Sequence, residues 1–380
     1  MTHVVAASLA AALLLLEATH SAAAAPAAGG LRLTLPPVVH AVPGVEMNLH
    51  FGNTVLAPGT APEFTVRCEV GRVLSNRWTL TAMPGQVGDH PLILRVTDPK
   101  TRATAEARCV VRVVPPDAGK GREIALLIVG DSLTHASAYP NEVARLLSLP
   151  GNPQWRMLGT HRPASAATNV AHEGYGGWTW SRFNTLFNPA RPLPGYTNSS
   201  PFVAATGPQG QPRLDVAHFI AKHCGGRGPD YVTFLLGIND CFRLKADNAA
   251  ALDEGVTQML KEADKLLAAF RQAAPRAEFG IGLTTPGNAR DGAFEANYKG
   301  QYSRANWRAV QHRLVERQLE HFRNREAEGI FIVPTELNLD IEAGYPENNA
   351  VHPNAEGYRQ IGASFYAWLK SRLAERDKRP

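Results

Sequence analysis

Apolar residues along this chain fall into two regimes. From Leu31 to about Val114 they alternate with polar ones in short segments broken by Pro and Gly. Examples are Glu63-Phe64-Thr65-Val66-Arg67-Cys68, Pro91-Leu92-Ile93-Leu94-Arg95-Val96 and Ala107-Arg108-Cys109-Val110-Val111-Arg112-Val113. A period of two with frequent turn residues predicts half-buried strands, and a succession of them predicts a small all-β sandwich of Ig-like type over 30–115. Pro115-Pro116-Asp117-Ala118-Gly119-Lys120-Gly121 then reads as a linker over 116–122. Beyond it the apolar runs become continuous, as in Ile124-Ala125-Leu126-Leu127-Ile128-Val129. Such runs predict strands over 123–129, 154–158, 231–236, 278–283 and 329–333, buried on both sides. Helical stretches fall between them, near 140–148, 213–223, 249–273, 302–325 and 354–373. The alternation predicts an α/β domain over 123–375, a flavodoxin-like parallel sheet with helices on both faces.

Length agrees with two domains, since 380 residues exceed what one core usually holds. The net charge of +5 is modest and its basic residues are scattered, so no patch for nucleic acid stands out. Residues 1–25 carry an apolar core from Val4 to Leu16, followed by small residues from Ser21 to Ala25. That run is too short to span a bilayer and predicts a secretory signal cleaved after Ala24, although no Lys or Arg precedes it. The mature chain is then expected to be secreted or periplasmic, with no later segment apolar enough to enter a membrane. In an exported chain, Cys68 and Cys109 could bridge the N-terminal sheet. Cys224 and Cys241 flank the strand 231–236, whose ends lie about 20 Å apart, beyond disulfide reach. His218, His223 and Cys224 fall on different helical faces, so no metal or other cofactor is expected.

The chemistry is concentrated in four short blocks. Gly130-Asp131-Ser132-Leu133 follows the first continuous apolar run, which puts a hydroxyl at the carboxyl end of a strand, where α/β sheets bind ligands. Gly174-Tyr175-Gly176-Gly177-Trp178-Thr179, Gly237-Ile238-Asn239-Asp240 and Val351-His352-Pro353-Asn354 come next, in that order. With these blocks the chain resembles the SGNH, or GDSL, hydrolase superfamily of serine esterases, named for a Ser, a Gly, an Asn and a His. The resemblance covers roughly residues 118–375. It implies Ser132 as nucleophile and His352 as the base that takes its proton and returns it to the leaving alcohol. It also implies an oxyanion hole made of the Ser132 N–H, the Gly177 N–H and the Asn239 side chain, with Gly176 as the near competitor for the glycine. Asp131 is read as structural.

At one position the chain departs from the family pattern, which puts an Asp three residues before the His. Asn349 stands there. Its carbonyl can hold the imidazole tautomer but cannot stabilise the imidazolium by charge; Asp340, Glu342 or Glu347 could supply a carboxylate, or Ser132 and His352 could work as a dyad. The segment 178–212 is rich in Pro, Gly and Asn and carries Trp178, Trp180, Phe183, Phe187, Tyr196 and Phe202, so it reads as a functional loop. Trp178 and Trp180 are the candidates for stacking on a sugar. The expectation is a cofactor-free esterase acting on short-chain esters, acetyl above all, of small molecules or polysaccharides. A broad small-ester hydrolase or lipase, an acetyl transferase, and a non-catalytic carbohydrate-binding protein on the same scaffold are the rivals.

Overall fold

The computed structural model describes residues 31–56, 61–190 and 197–378; the expected signal segment and Tyr196 lie outside these. Five of the continuous apolar runs form strands: β1 (Glu123–Gly130), β2 (Gln154–Leu158), β3 (Tyr231–Leu235), β4 (Glu278–Gly282) and β5 (Ile330–Val333). They pair in parallel in the order β2-β1-β3-β4-β5. This is the doubly wound, flavodoxin-like order, and its direction reverses between β1 and β3. Burial on both faces explains why these strands show no polar alternation. Along β3, Tyr231 meets Trp368 of the last helix, Ala355–Asp377, whereas Phe234 meets Phe270 of the helix Ala249–Ala273 on the opposite side. Among the described residues no helix is long and apolar enough to cross a membrane.

Apart from the short antiparallel pair Arg32–Leu33 and Val55–Leu56, the N-terminal strands form two sheets around a second core. One holds Val38–Ala41, Thr104–Val113, Gly88–Thr97 and Glu63–Arg67; the other holds Glu46–His50, Arg77–Thr81 and Arg72–Val73. Their inward residues, among them Val39, Leu49, Trp78, Leu92 and Val111, are buried together with Leu337, which belongs to the α/β region. Polar contacts close the same seam. The Asn338 side chain accepts from the Asn48 N–H at 2.8 Å, and Asn53 Nδ2 donates to the carbonyls of Glu336 and Leu339 at 2.7 and 2.8 Å. Leu31–Pro380 is accordingly one compact unit.

The Pro- and Gly-rich turn at 115–121 is pinned rather than loose. Lys370 Nζ donates to Ala118 O, the Gly119 N–H donates to Asp377, and Arg122 pairs with Asp377, all from the last helix. The expected bridge between Cys68 and Cys109 does not form, and all four cysteines are free. The strands explain why. Arg67 pairs with Ile93 and Leu92 pairs with Cys109, so a whole strand separates the two sulfurs. Two inter-strand spacings come to about 9.5 Å, outside the Cα range of a disulfide.

Candidate active site

Ser132 is set by the turn that ends β1. Gly130 is the last residue of the strand, and a Cβ there would stand 2.8 Å from the Leu235 carbonyl of β3, so the close approach of the two strand ends requires glycine. Asp131 caps the short helix Ser132–His135 by accepting from the Leu133 N–H at 3.0 Å, as expected of a structural residue. Ser132 is thereby the first helical residue, whose N–H has no intrahelical acceptor. Asn239 occupies the equivalent place beyond β3, in the short helix Ile238–Cys241. The two strand ends are neighbours at the point where the sheet order reverses, which is where open α/β sheets form their crevice.

His352 arrives from the other end of the chain. Its Nε2 lies 2.9 Å from Ser132 Oγ, and its Nδ1 lies 3.1 Å from Asn349 Oδ1. The Asn349 oxygen also accepts the backbone N–H groups of His352 and Val351, at 2.9 and 3.3 Å, which identifies it as the acceptor. The proton therefore sits on Nδ1, and the Nε2 lone pair faces the serine hydroxyl. Burial holds the imidazole below the ordinary histidine value. Among the described residues no carboxylate hydrogen-bonds to this ring. Asp340 instead accepts from the Glu342 and Ala343 N–H groups, and the Glu342 and Glu347 side chains are exposed, so the carboxylate expected from this loop is not there.

Gly177 lies beside these groups with φ +75°, a left-handed conformation that favours glycine. Asn239 Nδ2 donates to the Trp178 carbonyl at 3.0 Å and stands 3.4 Å from Asp131 Oδ2. Its first hydrogen is thus anchored, and its second has only a long, weak contact. Two carboxyls lie behind this group. Burial pushes both Asp131 and Asp240 up to about 7, and Asp240 accepts from the Trp180 N–H at 3.2 Å.

Trp178 and Trp180 require a correction. Each is only 1% exposed. The Trp178 ring packs on Tyr175 and Phe183, with centroids at 4.5 and 4.8 Å, and Trp180 stacks on Phe234 at 5.2 Å. A ring with no free face cannot receive a sugar. What Trp178 contributes to the site is its backbone carbonyl. Phe183 and Phe202 are also fully buried, so these aromatics fasten the segment to the body. A ring cluster that keeps some exposure is that of Phe242, Tyr298 and Tyr302, mutually packed at 4.8–5.2 Å. Phe242 follows Asn239 by three residues and so shares its helical face.

Several residues that shape the site were not evident from the four blocks. Asn288, 1% exposed, donates from Nδ2 to the carbonyls of Pro346 and Asn349 at 2.7 and 2.9 Å. The Asn297 side chain accepts from the Ala350 N–H at 2.6 Å. Together they clamp the loop that carries His352. Arg182 Nη1 donates to the Gly177 carbonyl at 3.1 Å, fixing the glycine turn from outside. For Asn288 the only signal was a polar residue shortly after the end of a buried strand, which is also what an ordinary loop looks like, and Asn297 and Arg182 lie in short helices, where a polar residue looks like ordinary surface. Among the described residues no cluster of three or more His, Cys, Asp or Glu could hold a metal.

Residues 126–365 match the family described as GDSL-like Lipase/Acylhydrolase. A search of curated proteins gives no match. Solved structures with a similar fold include a family 3 carbohydrate esterase of Clostridium thermocellum, at 16% identity and a TM-score of 0.42, over 66% of this chain and 98% of that one. A carbohydrate acetylesterase from Sinorhizobium meliloti aligns at 16% identity and a TM-score of 0.38, over 66% and 99% of the two chains. An inhibitor-bound aryl esterase of M. smegmatis aligns at 15% identity and a TM-score of 0.36, over 65% and 99%.

Proposed function

The chain belongs to the GDSL-like lipase and acylhydrolase family, whose members cleave esters, and from that premise we propose that it is an exported serine esterase that removes acetyl groups from a polysaccharide. The observation that carries the mechanism is the 2.9 Å approach of His352 Nε2 to Ser132 Oγ, with Nδ1 held by Asn349. As Ser132 Oγ attacks the ester carbonyl, His352 takes its proton. The N–H groups of Ser132 and Gly177 and the second Asn239 hydrogen receive the negative oxygen, each donor being worth about 3–4 kcal/mol in the transition state. His352 then returns the proton to the departing alkoxide. In the second half it activates the water that releases acetate from Ser132 and regenerates the hydroxyl.

On the alcohol side we place the half-buried cluster of Phe242, Tyr298 and Tyr302, which begins three residues after Asn239 and whose two phenol hydroxyls suit a hydroxyl-rich ring better than an aliphatic chain. They take over the role first expected of Trp178 and Trp180. No long aliphatic stripe in 178–212 is available to line a fatty-acyl channel.

The test is a panel of aryl esters from two to twelve carbons together with acetylated xylan, run on wild type, Ser132→Ala and Tyr302→Ala. Two-carbon esters should be preferred, and acetate release from the glycan should depend on Ser132 and fall in Tyr302→Ala with aryl acetate turnover kept. A preference for eight carbons or more, with no acetate from any glycan, would make the protein a lipase-like hydrolase instead.

A further inference from the structure

Two of the donors assigned to the oxyanion come from separate stretches of chain. Gly177 lies in the turn after the short strand Glu173–Gly174, and Asn239 in the short helix Ile238–Cys241. A hole made this way works only if the two stretches are held at a fixed distance. Two hydrogen bonds of opposite direction hold them. Asn239 Nδ2 donates to the Trp178 carbonyl at 3.0 Å, and the next residue, Asp240, accepts the Trp180 N–H on Oδ1 at 3.2 Å. Thr179, between the two tryptophans, is extended at φ −120° and ψ 165°, so the Trp178 carbonyl and the Trp180 N–H point to the same side of the chain. Asn239 and Asp240 thus grip this segment as the edge of a neighbouring strand would, one giving and one taking.

The grip leaves one group of the turn unclaimed. Arg182 Nη1 holds the Gly177 carbonyl, the Trp178 N–H bonds back to the Tyr175 carbonyl, and the Thr179 hydroxyl accepts the Arg182 N–H. Among the described residues no acceptor takes the Gly177 N–H, and Gly177 is exposed. The second oxygen of Asp240 is buried without a partner. Burial pushes this carboxyl up to about 7, and Asp131 and Glu262 push it the same way. Its oxygen accepts an N–H whether or not the group is ionised, so the task asks for an acceptor and not for a charge.

We propose that Asp240 is a positioning residue for ester hydrolysis: through the Trp180 N–H it fixes the Gly177 N–H against the Asn239 amide, so that both donors meet one oxygen. The inference rests on the esterase reading above and adds to it a side chain that touches no substrate. A misplacement of about 1 Å at such a donor costs on the order of 100-fold in rate.

The experiment measures aryl acetate hydrolysis by the whole protein. Asp240→Leu keeps the branched shape and removes the acceptor. It should lower kcat about 100-fold while KM stays within about twofold, since the donors act on the transition state. Asp240→Asn, whose amide oxygen can take the same N–H, should recover kcat to within about fivefold of wild type. Wild-type crystals treated with a diethyl aryl phosphate, which loses its phenolate to Ser132 Oγ, should show the phosphoryl oxygen within hydrogen-bond distance of the Gly177 N–H and Asn239 Nδ2. The Trp180 N–H should still be on Asp240 in that adduct. Wild-type kcat in Asp240→Leu, or an Asp240→Asn as slow as Asp240→Leu, would overturn the proposal. So would an adduct whose oxygen avoids Gly177 or whose Trp180 N–H has left Asp240, and this measurement decides the matter even if Asp240→Leu fails to fold. Such an adduct leaves the esterase standing, whereas a protein that neither hydrolyses the ester nor takes the label at Ser132 loses both readings together.

Discussion

A carboxamide stands where a carboxylate would orient the imidazole, and Asn349 does that job with one oxygen shared among three N–H groups. Orientation and tautomer are kept, but the charge that would raise the basicity of His352 is missing, and burial lowers it further. The reaction needs neutral His352. The acid limb of kcat/KM should therefore fall below the ordinary histidine value of about 6.5. Asn349→Asp should move that limb to higher pH while leaving the plateau equal or raised; an unmoved limb would show that Asn349 does not sense the ring. Ser132→Ala and His352→Ala should each lower kcat/KM by about 10⁴-fold or more, and the double variant should be little worse, since the two act as a unit. Asn239→Ala should lower kcat more than it raises KM, because its second hydrogen, held at rest only by the long contact to Asp131, gains a strong acceptor as the oxyanion forms. The placement of Ser132, Asn239 and His352 was legible because each block sits at a strand end or helix start with a recognisable pattern. Asn288 and Asn297 were not, because their work is done on backbone carbonyls and N–H groups about 50 to 60 residues away.

Among the elements, the strands were the most legible. A run such as Ile124–Val129 has one physical explanation, burial on both faces, and the structure has β1 where the run lies. The segment 178–212 was harder, because an aromatic ring next to Gly and Pro looks the same in sequence whether it faces solvent or core. Trp180→Ala is accordingly expected to cost about 3–5 kcal/mol of stability in urea unfolding. A rise in KM with full stability would instead restore its surface role. The short helix Thr335–Asn338 carries a second element-scale consequence. Burial drives the Glu336 carboxyl up to about 8, and both its oxygens lack partners. Its folded pKa lies above the unfolded value of about 4.3, so between these two the native state binds more protons than the unfolded one. Stability from this group is present below pH 4 and is lost as pH rises through 8. Glu336→Gln should therefore be more stable than wild type at pH 8.5 by urea titration, with the advantage shrinking toward pH 5. A constant difference would assign the effect to packing alone.

Taken whole, the molecule is less divisible than its two hydrophobic patterns suggest. Leu337 is buried in the N-terminal core, and Asn48, Asn53 and Asn338 tie the seam with hydrogen bonds that no periodicity in the sequence announces. Calorimetry on the chain should thus show one unfolding transition rather than two; a separable low-temperature peak would mean that the seam contributes little. The pinned turn at 118–122 points the same way, because the contacts that hold it come from Lys370 and Asp377, near the other end of the described chain. That arrangement has a consequence for the protein's birth. Ser132 and His352 are 220 positions apart, and the helix that seats the histidine follows it. A chain emerging from the ribosome carries a finished serine turn long before His352 has been synthesised. Until the last helix has docked, the nascent polypeptide holds Ser132 on an incomplete sheet with no imidazole beside it, so on the proposed mechanism its hydroxyl stays unactivated throughout translation.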